Sequence, residues 1–196
     1  SINAYLGAFP TAEALRLGAD IVITGRCVDS AVTLGACIYS FDWKEEDWNH
    51  LSGGSLAGHI IECGTQSTGG NFTDWELISD QIDTMGYPIV EIFKDSSFNC
   101  MKSNNTGGLV SVGTISEQLV YEIGDPQAYI LPDVVCDFSQ VKISQINKDT
   151  VKVSGAIGYP STNQYKVSMT YSDGFRGGHL MSFVGIDAGK KAKAYG

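Results

Sequence analysis

A mixed α/β fold is predicted for this chain, with a helix-flanked, mostly parallel or mixed sheet over 1–128 and a mainly antiparallel β section over 129–196. Three observations predict it. Helix-like and strand-like stretches alternate over the first sixty or so residues, the order expected of α/β architecture. The continuous apolar run Ala19-Asp20-Ile21-Val22-Ile23-Thr24-Gly25 ends at glycine, as buried parallel strands do. From Tyr129 onward, β-branched or alternating runs are separated by turn residues. Both sections are expected to share one core, because 196 residues divided in two would leave each part marginal.

The elements follow in order. Thr11 to Leu17 reads as a helix with Thr11 as N-cap and Gly18 as its stop. The 19–25 strand comes next, and Asp29 to Tyr39 carries the apolar spacing of a helix packed on that sheet. Trp43 to Leu51 is acidic and Trp-bearing, a surface helix by composition. Leu56 to Cys63 forms a short apolar helix opening after a Gly53-Gly54-Ser55 cap. Thr65 to Asp83 is polar and loop-like. Strands are expected at Pro88–Phe93 and Gly108–Val112, and a helix at Ser116–Ile123. Then come strands within 134–138, 141–146, 151–154 and 165–171, with Asn147-Lys148-Asp149 as a hairpin turn.

Thirteen Lys+Arg against 22 Asp+Glu give a formal net charge of −9, and no basic cluster is present, so nucleic acid is not an expected partner. No apolar run approaches the roughly 18 residues of a spanning helix. Ser1-Ile2-Asn3-Ala4-Tyr5 lacks the basic start of a signal peptide, so the chain is expected to begin inside a longer polypeptide. Cys27, Cys37, Cys63, Cys100 and Cys136 form no CxxC pair, which removes zinc-ribbon and thioredoxin readings. An odd, scattered set predicts reduced thiols and a cytoplasmic or mitochondrial-matrix location.

Glycine is in excess, 23 of 196 residues, with much of it in doublets. Thr65-Gln66-Ser67-Thr68-Gly69-Gly70-Asn71 and Asn104-Asn105-Thr106-Gly107-Gly108 present hydroxyls, amides and backbone N–H groups suited to an anion, or else form plain turns. Neither a Walker pattern nor GxGxxG occurs. Gly25-Arg26-Cys27-Val28-Asp29-Ser30 sits where the predicted strand meets a helix, so Arg26 can clamp a carboxylate or phosphate, or simply pair with Asp29. In a helix, His59, Glu62 and Cys63 stand at i, i+3 and i+4 on one face. That face can serve acid–base or nucleophilic work, or be a surface His–Glu pair beside a core thiol. His59 and Glu62 offer two metal ligands, with no third or fourth evident nearby.

These same stretches resemble the acyclic terpene utilisation (AtuA-like) family. The resemblance is carried by Asn3-Ala4-Tyr5-Leu6-Gly7-Ala8, by Ala19 to Arg26 with Asp29, and by Ala57-Gly58-His59-Ile60-Ile61-Glu62-Cys63-Gly64 with Thr68-Gly69-Gly70. Thr106 to Ser111, Glu117 to Glu122, Asp125-Pro126, Tyr129 to Phe138, and Tyr171 with Asp173-Gly174 and Arg176 continue it in order. It corresponds to the middle and later part of that family's core domain, which implies a fragment whose other partner is the remainder of its own polypeptide. The resemblance implies catabolism of acyclic terpenoids such as citronellol and geraniol, which runs through branched acyl-CoA thioesters.

The expected function is therefore an enzyme acting on a carboxylate or acyl-CoA thioester by lyase-, hydratase- or isomerase-like acid–base chemistry, with coenzyme A as part of the substrate. His59, Glu62 and Cys63 would move protons. Arg26, Asp29 and the Gly69-Gly70 and Gly107-Gly108 loops would bind the anionic portion, with Asn3 and Gln66 orienting a carbonyl. A small-molecule substrate and a homo-oligomer are expected, and no membrane. The alternative is a non-catalytic accessory or scaffold subunit of an acyl-CoA-processing assembly, with Trp43 to Trp48 as its contact surface. Geometrically, Arg26, His59, Glu62 and the Gly69-Gly70 loop are expected to converge on one pocket.

Overall fold

Between Leu51 and Ile60 the sequence offers only apolar side chains, glycine, serine and one histidine, and all ten residues are buried. The computed structural model, which describes residues 1–196, places them in helix α3 (Trp48–Glu62), the axis around which the rest is arranged. Gly53 and Gly54 do not cap this helix. They lie in its middle, because small residues let neighbouring segments close on it from several sides. At Gly58 a β-carbon would stand 2.7 Å from the Ser30 carbonyl oxygen and 2.8 Å from Ser30 Cα, so α3 touches the chain entering α2 (Ala31–Phe41) backbone to backbone.

Helix α1 (Phe9–Arg16) packs on α2. Thr11 is inside α1 rather than at its cap. The Asp133 carboxylate accepts the Ala8 N–H at 2.8 Å and occupies the anionic position at that end. Burial pushes the Asp133 carboxyl above its usual range, against that stabilising hydrogen bond. Trp43 is buried, its indole N–H donating to the Lys94 carbonyl at 3.3 Å and its ring stacked between Phe41 and His50. The acidic Trp segment therefore does not present Trp43 as a contact surface, and its helical part starts only at Trp48.

There are three antiparallel sheets, the first two of which pack on α3. Strands β2 (Pro88–Ile92), β3 (Phe98–Lys102), β7 (Thr150–Ser154) and β6 (Lys142–Asn147) form the first, in that spatial order. Strands β4 (Tyr129–Ile130), β5 (Val135–Asp137) and β8 (Ile157–Tyr159) form the second. Strands β1 (Ile2–Ala4) and β9 (Val167–Met169) form a ribbon. The 147–149 turn joins β6 to β7 as expected, with Asp149 left-handed at φ 53. Because β7 pairs with β3, Val151 and Val153 join Phe98 and Cys100 in one buried cluster that includes α3. Helix α4 (Val112–Val120) opens on a Ser111–Thr114 capping box, where the sequence pattern predicts a Gly108–Val112 strand. The Thr65–Asp83 loop holds two 3₁₀ segments, and α5 (Ala188–Tyr195) closes the chain.

Helices and sheets are mixed as predicted, but the parallel component is not seen. Every ladder is antiparallel, and parallel pairing is confined to the isolated bridges Leu6–Cys27 and Met85–Gly107. Residues 19–25 are not a buried strand. Asp20 to Gly25 form no main-chain hydrogen bonds, and Ile21 and Ile23 are 81% and 93% exposed. A β-branched apolar run becomes a strand only against a neighbour, and no strand of the chain pairs with it. All five thiols are free. Burial pushes Cys37 up to about 11 and Cys100 and Cys136 up to about 12, so these three are inert core groups. No helix is long and apolar enough to cross a membrane.

Candidate functional site

Helix α3 ends at Glu62 beside the segment that leads into α2, and a cleft opens there. It has two joined chambers. The first, about 660 Å³, is lined by Asn3, Arg26, Cys27, Asp29, Glu62, Cys63 and Glu122, with Gly25 and Val32. The second, about 770 Å³, adds Tyr5, Val28, His59, Tyr129, Ile130, Leu131, Pro132 and the strand of chain from Thr162 to Lys166. Asp29, Glu62 and Glu122 line both chambers and so form the wall they share.

Arg26 does not leave the end of a buried strand. Its carbonyl accepts the Leu6 N–H at 3.3 Å, and the Leu6 carbonyl accepts the Val28 N–H at 2.9 Å, which holds the segment parallel to the continuation of β1. Its guanidinium pairs with Asp29 at 3.3 Å and lies 5.1 Å from the Tyr5 ring centre. The local pairing weighed against the anion clamp in the sequence is thus present.

His59 is 2% exposed and held from both sides by α4. Its Nε2 lies 2.9 Å from the Gln118 main-chain oxygen, and the Gln118 side-chain amide donates to the His59 carbonyl at 3.0 Å. A carbonyl only accepts, so Nε2 carries a hydrogen. Nδ1 then faces a Glu62 oxygen at 3.0 Å, a contact that needs a further proton. Imidazolium against carboxylate and imidazole against carboxylic acid both satisfy it. Either way the pair is neutral as a whole and holds one transferable proton, with Glu62 as its face toward the cleft.

Cys63 is a poor nucleophile in this setting. Burial, followed by the Glu62, Glu122 and Asp29 carboxylates, raises its thiol above the usual value despite a hydrogen bond from Gln118. Tyr129, tilted 6.1 Å from the His59 ring, is pushed up to about 12, chiefly by burial and then by Glu62. Its hydroxyl therefore stays protonated.

Glycine loops 69–70 and 107–108 do not reach the cleft. The Gly69, Gly70 and Gly107 N–H groups donate to the carbonyls of Gln66, Thr65 and Thr84, and Leu109 N–H donates to Thr68. These amides are taken up within the 65–70 turn, by Thr84 and between the two loops, and none of the four glycines lines either chamber. Gln66 is likewise engaged with Gln118 at 3.4 Å, away from both chambers. Asn3, Arg26, Asp29, Glu62 and Cys63 line the first chamber and Asp29, His59 and Glu62 the second, so Arg26 and His59 do not share one chamber, and Gln66 and the four glycines line neither. Nowhere do three or more His, Cys, Asp or Glu side chains gather in a group that could hold a metal ion.

Sequence reasoning missed Tyr5, Glu122, Tyr129 and Lys166. Glu122 had a local signal, since it follows α4 at a position where glycine is usual and is left-handed at φ 57. A non-glycine residue there costs about 1–2 kcal/mol, and the conformation aims its carboxylate into the wall between the chambers. Glu122→Gly should therefore raise the midpoint of thermal unfolding by about 2–8 °C and bring the Cys63 thiol down. A lower midpoint would show that the carboxylate stabilises the fold.

No curated protein and no solved structure gives a significant match. The model of the family described as acyclic terpene utilisation family protein AtuA matches residues 1–196, the whole chain. With this match and the resemblance carried by the cleft's own segments, the chain belongs to the acyclic terpene utilisation family.

Proposed function

We propose that the chain is an enzyme of acyclic terpenoid breakdown that moves a proton to or from a branched carboxylate or acyl-CoA thioester. The observation that carries this reading is the His59–Glu62 contact at 3.0 Å, closed off from solvent at His59 and open to the cleft at Glu62. Glu62 is the acid–base group. His59, buried and fixed by Gln118, positions it and shares its proton. Val28, Tyr129, Ile130, Leu131 and Pro132 supply an apolar chamber for a branched hydrocarbon chain. Asn3 offers a side-chain amide to a carbonyl in the other chamber. Family membership supports the terpenoid context.

A deuterium-exchange assay tests the reading whatever the net reaction. The protein is incubated in deuterium oxide with geranate, citronellate and their CoA thioesters, and the recovered compounds are weighed by mass spectrometry. Deuterium gained beside the carbonyl by intact protein, and lost in Glu62→Gln, is the expected result. Equal exchange in both proteins, or none with any of the compounds, overturns it.

A further inference from the structure

Three carboxylates, Asp29, Glu62 and Glu122, line the wall of the cleft, and two cations, Arg26 and Lys166, face them. The cations are not equivalent. Arg26 already has a carboxylate partner in Asp29 at 3.3 Å, whereas Lys166 makes no ion pair with any residue. Lys166 sits directly across the ladder from Tyr5. The Tyr5 N–H donates to the Lys166 carbonyl at 2.9 Å, one step beyond the Ala4–Val167 pair. Its ammonium lies 5.3 Å from the Tyr5 ring centre, and Arg26 lies 5.1 Å from the same ring. The ring thus holds Lys166 at the lip of the apolar chamber without neutralising it.

We infer that Lys166, and not Arg26, is the residue that selects an anionic ligand in this cleft, by pairing with the carboxylate of a branched acid or a phosphate of its CoA thioester. The inference rests on the proposed function for the branched chain, but not on proton transfer by Glu62. The physics is one of competition. With Asp29 paired to Arg26 and Glu62 to His59, an anion entering beside the unpaired Glu122 carboxylate needs a cation not already paired, and displacing Asp29 from Arg26 would leave one more unmatched charge. An anion on Lys166 meets neither cost, and its hydrocarbon chain then runs inward along Tyr129 and Leu131.

Binding of three probes, geranate, geraniol and coenzyme A without an acyl chain, is measured by calorimetry on the full chain, on Lys166→Gln and on Arg26→Gln. Lys166→Gln is expected to weaken geranate, coenzyme A or both by tenfold or more, to leave geraniol unchanged, and to recover in Lys166→Arg. Loss with geranate alone identifies a carboxylate as the partner of Lys166, and loss with coenzyme A alone identifies a phosphate. Arg26→Gln is expected to change either anion by less than about threefold. Unchanged anion binding in Lys166→Gln, a larger loss in Arg26→Gln, or no binding of either anion to the intact chain overturns the inference. Glu62→Gln separates the two readings, because it removes deuterium exchange while the anion preference set by Lys166 persists.

Discussion

Gly158→Val is expected to abolish the folded state. A β-carbon at Gly158 would overlap the carbonyl carbon and oxygen of Trp48, the first residue of α3, and both are backbone atoms with no rotamer into which to retreat. One of the two backbones must be displaced to admit it, and both are held. Gly158 is paired with Cys136 at the centre of edge strand β8, and its N–H donates to the Asn49 side chain at 2.9 Å in the same turn of α3. Ordinary overpacking costs about 1–3 kcal/mol, and a backbone overlap locked on both sides should exceed about 4 kcal/mol, a large part of the ~5–15 kcal/mol that holds a domain together. Circular dichroism on heating should show no cooperative transition for the valine variant, and a strongly lowered one for Gly158→Ala. A midpoint within a few degrees of the parent for valine would mean that β8 does not lie against α3 in solution.

The second large effect belongs to Glu62. Glu62→Gln keeps the shape of the side chain and lets its amide donate to Nδ1 of His59, so the fold and the imidazole orientation should persist while the transferable proton disappears. Proton transfer to a bound substrate should then fall by about 10²–10⁴. Imidazole nitrogen NMR checks the cause independently of any substrate. In the parent, Nδ1 should show a proton in a strong hydrogen bond, and in Glu62→Gln the ring should become the neutral tautomer protonated at Nε2 alone. An unaltered His59 spectrum in the variant would mean that the two side chains do not share a proton.

The His59–Glu62 pair was legible in the sequence because it depends only on helical spacing, and the 147–149 hairpin was legible because turn chemistry is local. Other features depended on partners distant in the chain. Lys166 reaches the cleft only because β9 folds back on β1, and Glu122 only because α4 docks on α3. Gly53 and Gly54 read as a cap because glycine inside a helix is disfavoured, and tertiary close packing overrode that preference. The 19–25 run failed in the opposite sense. Its local pattern is that of a strand, and no strand of the chain pairs with it. Strand β3 was missed because Phe98-Asn99-Cys100-Met101-Lys102 is poor in β-branched residues, and pairing on both edges makes it a strand.

Helix α3 also bears on the order in which the molecule assembles. Three of its fifteen residues are glycine, each costing about 1 kcal/mol in a helix relative to alanine, so the segment has little tendency to coil before its neighbours arrive. Its turns are expected to form together with the packing of α2, β8 and α4 rather than ahead of it. Glu62 and the glycine contact with β8 stand at opposite ends of that one helix. The proton-holding pair therefore comes into being with the core, and it is lost only when the core itself opens, after the periphery has frayed.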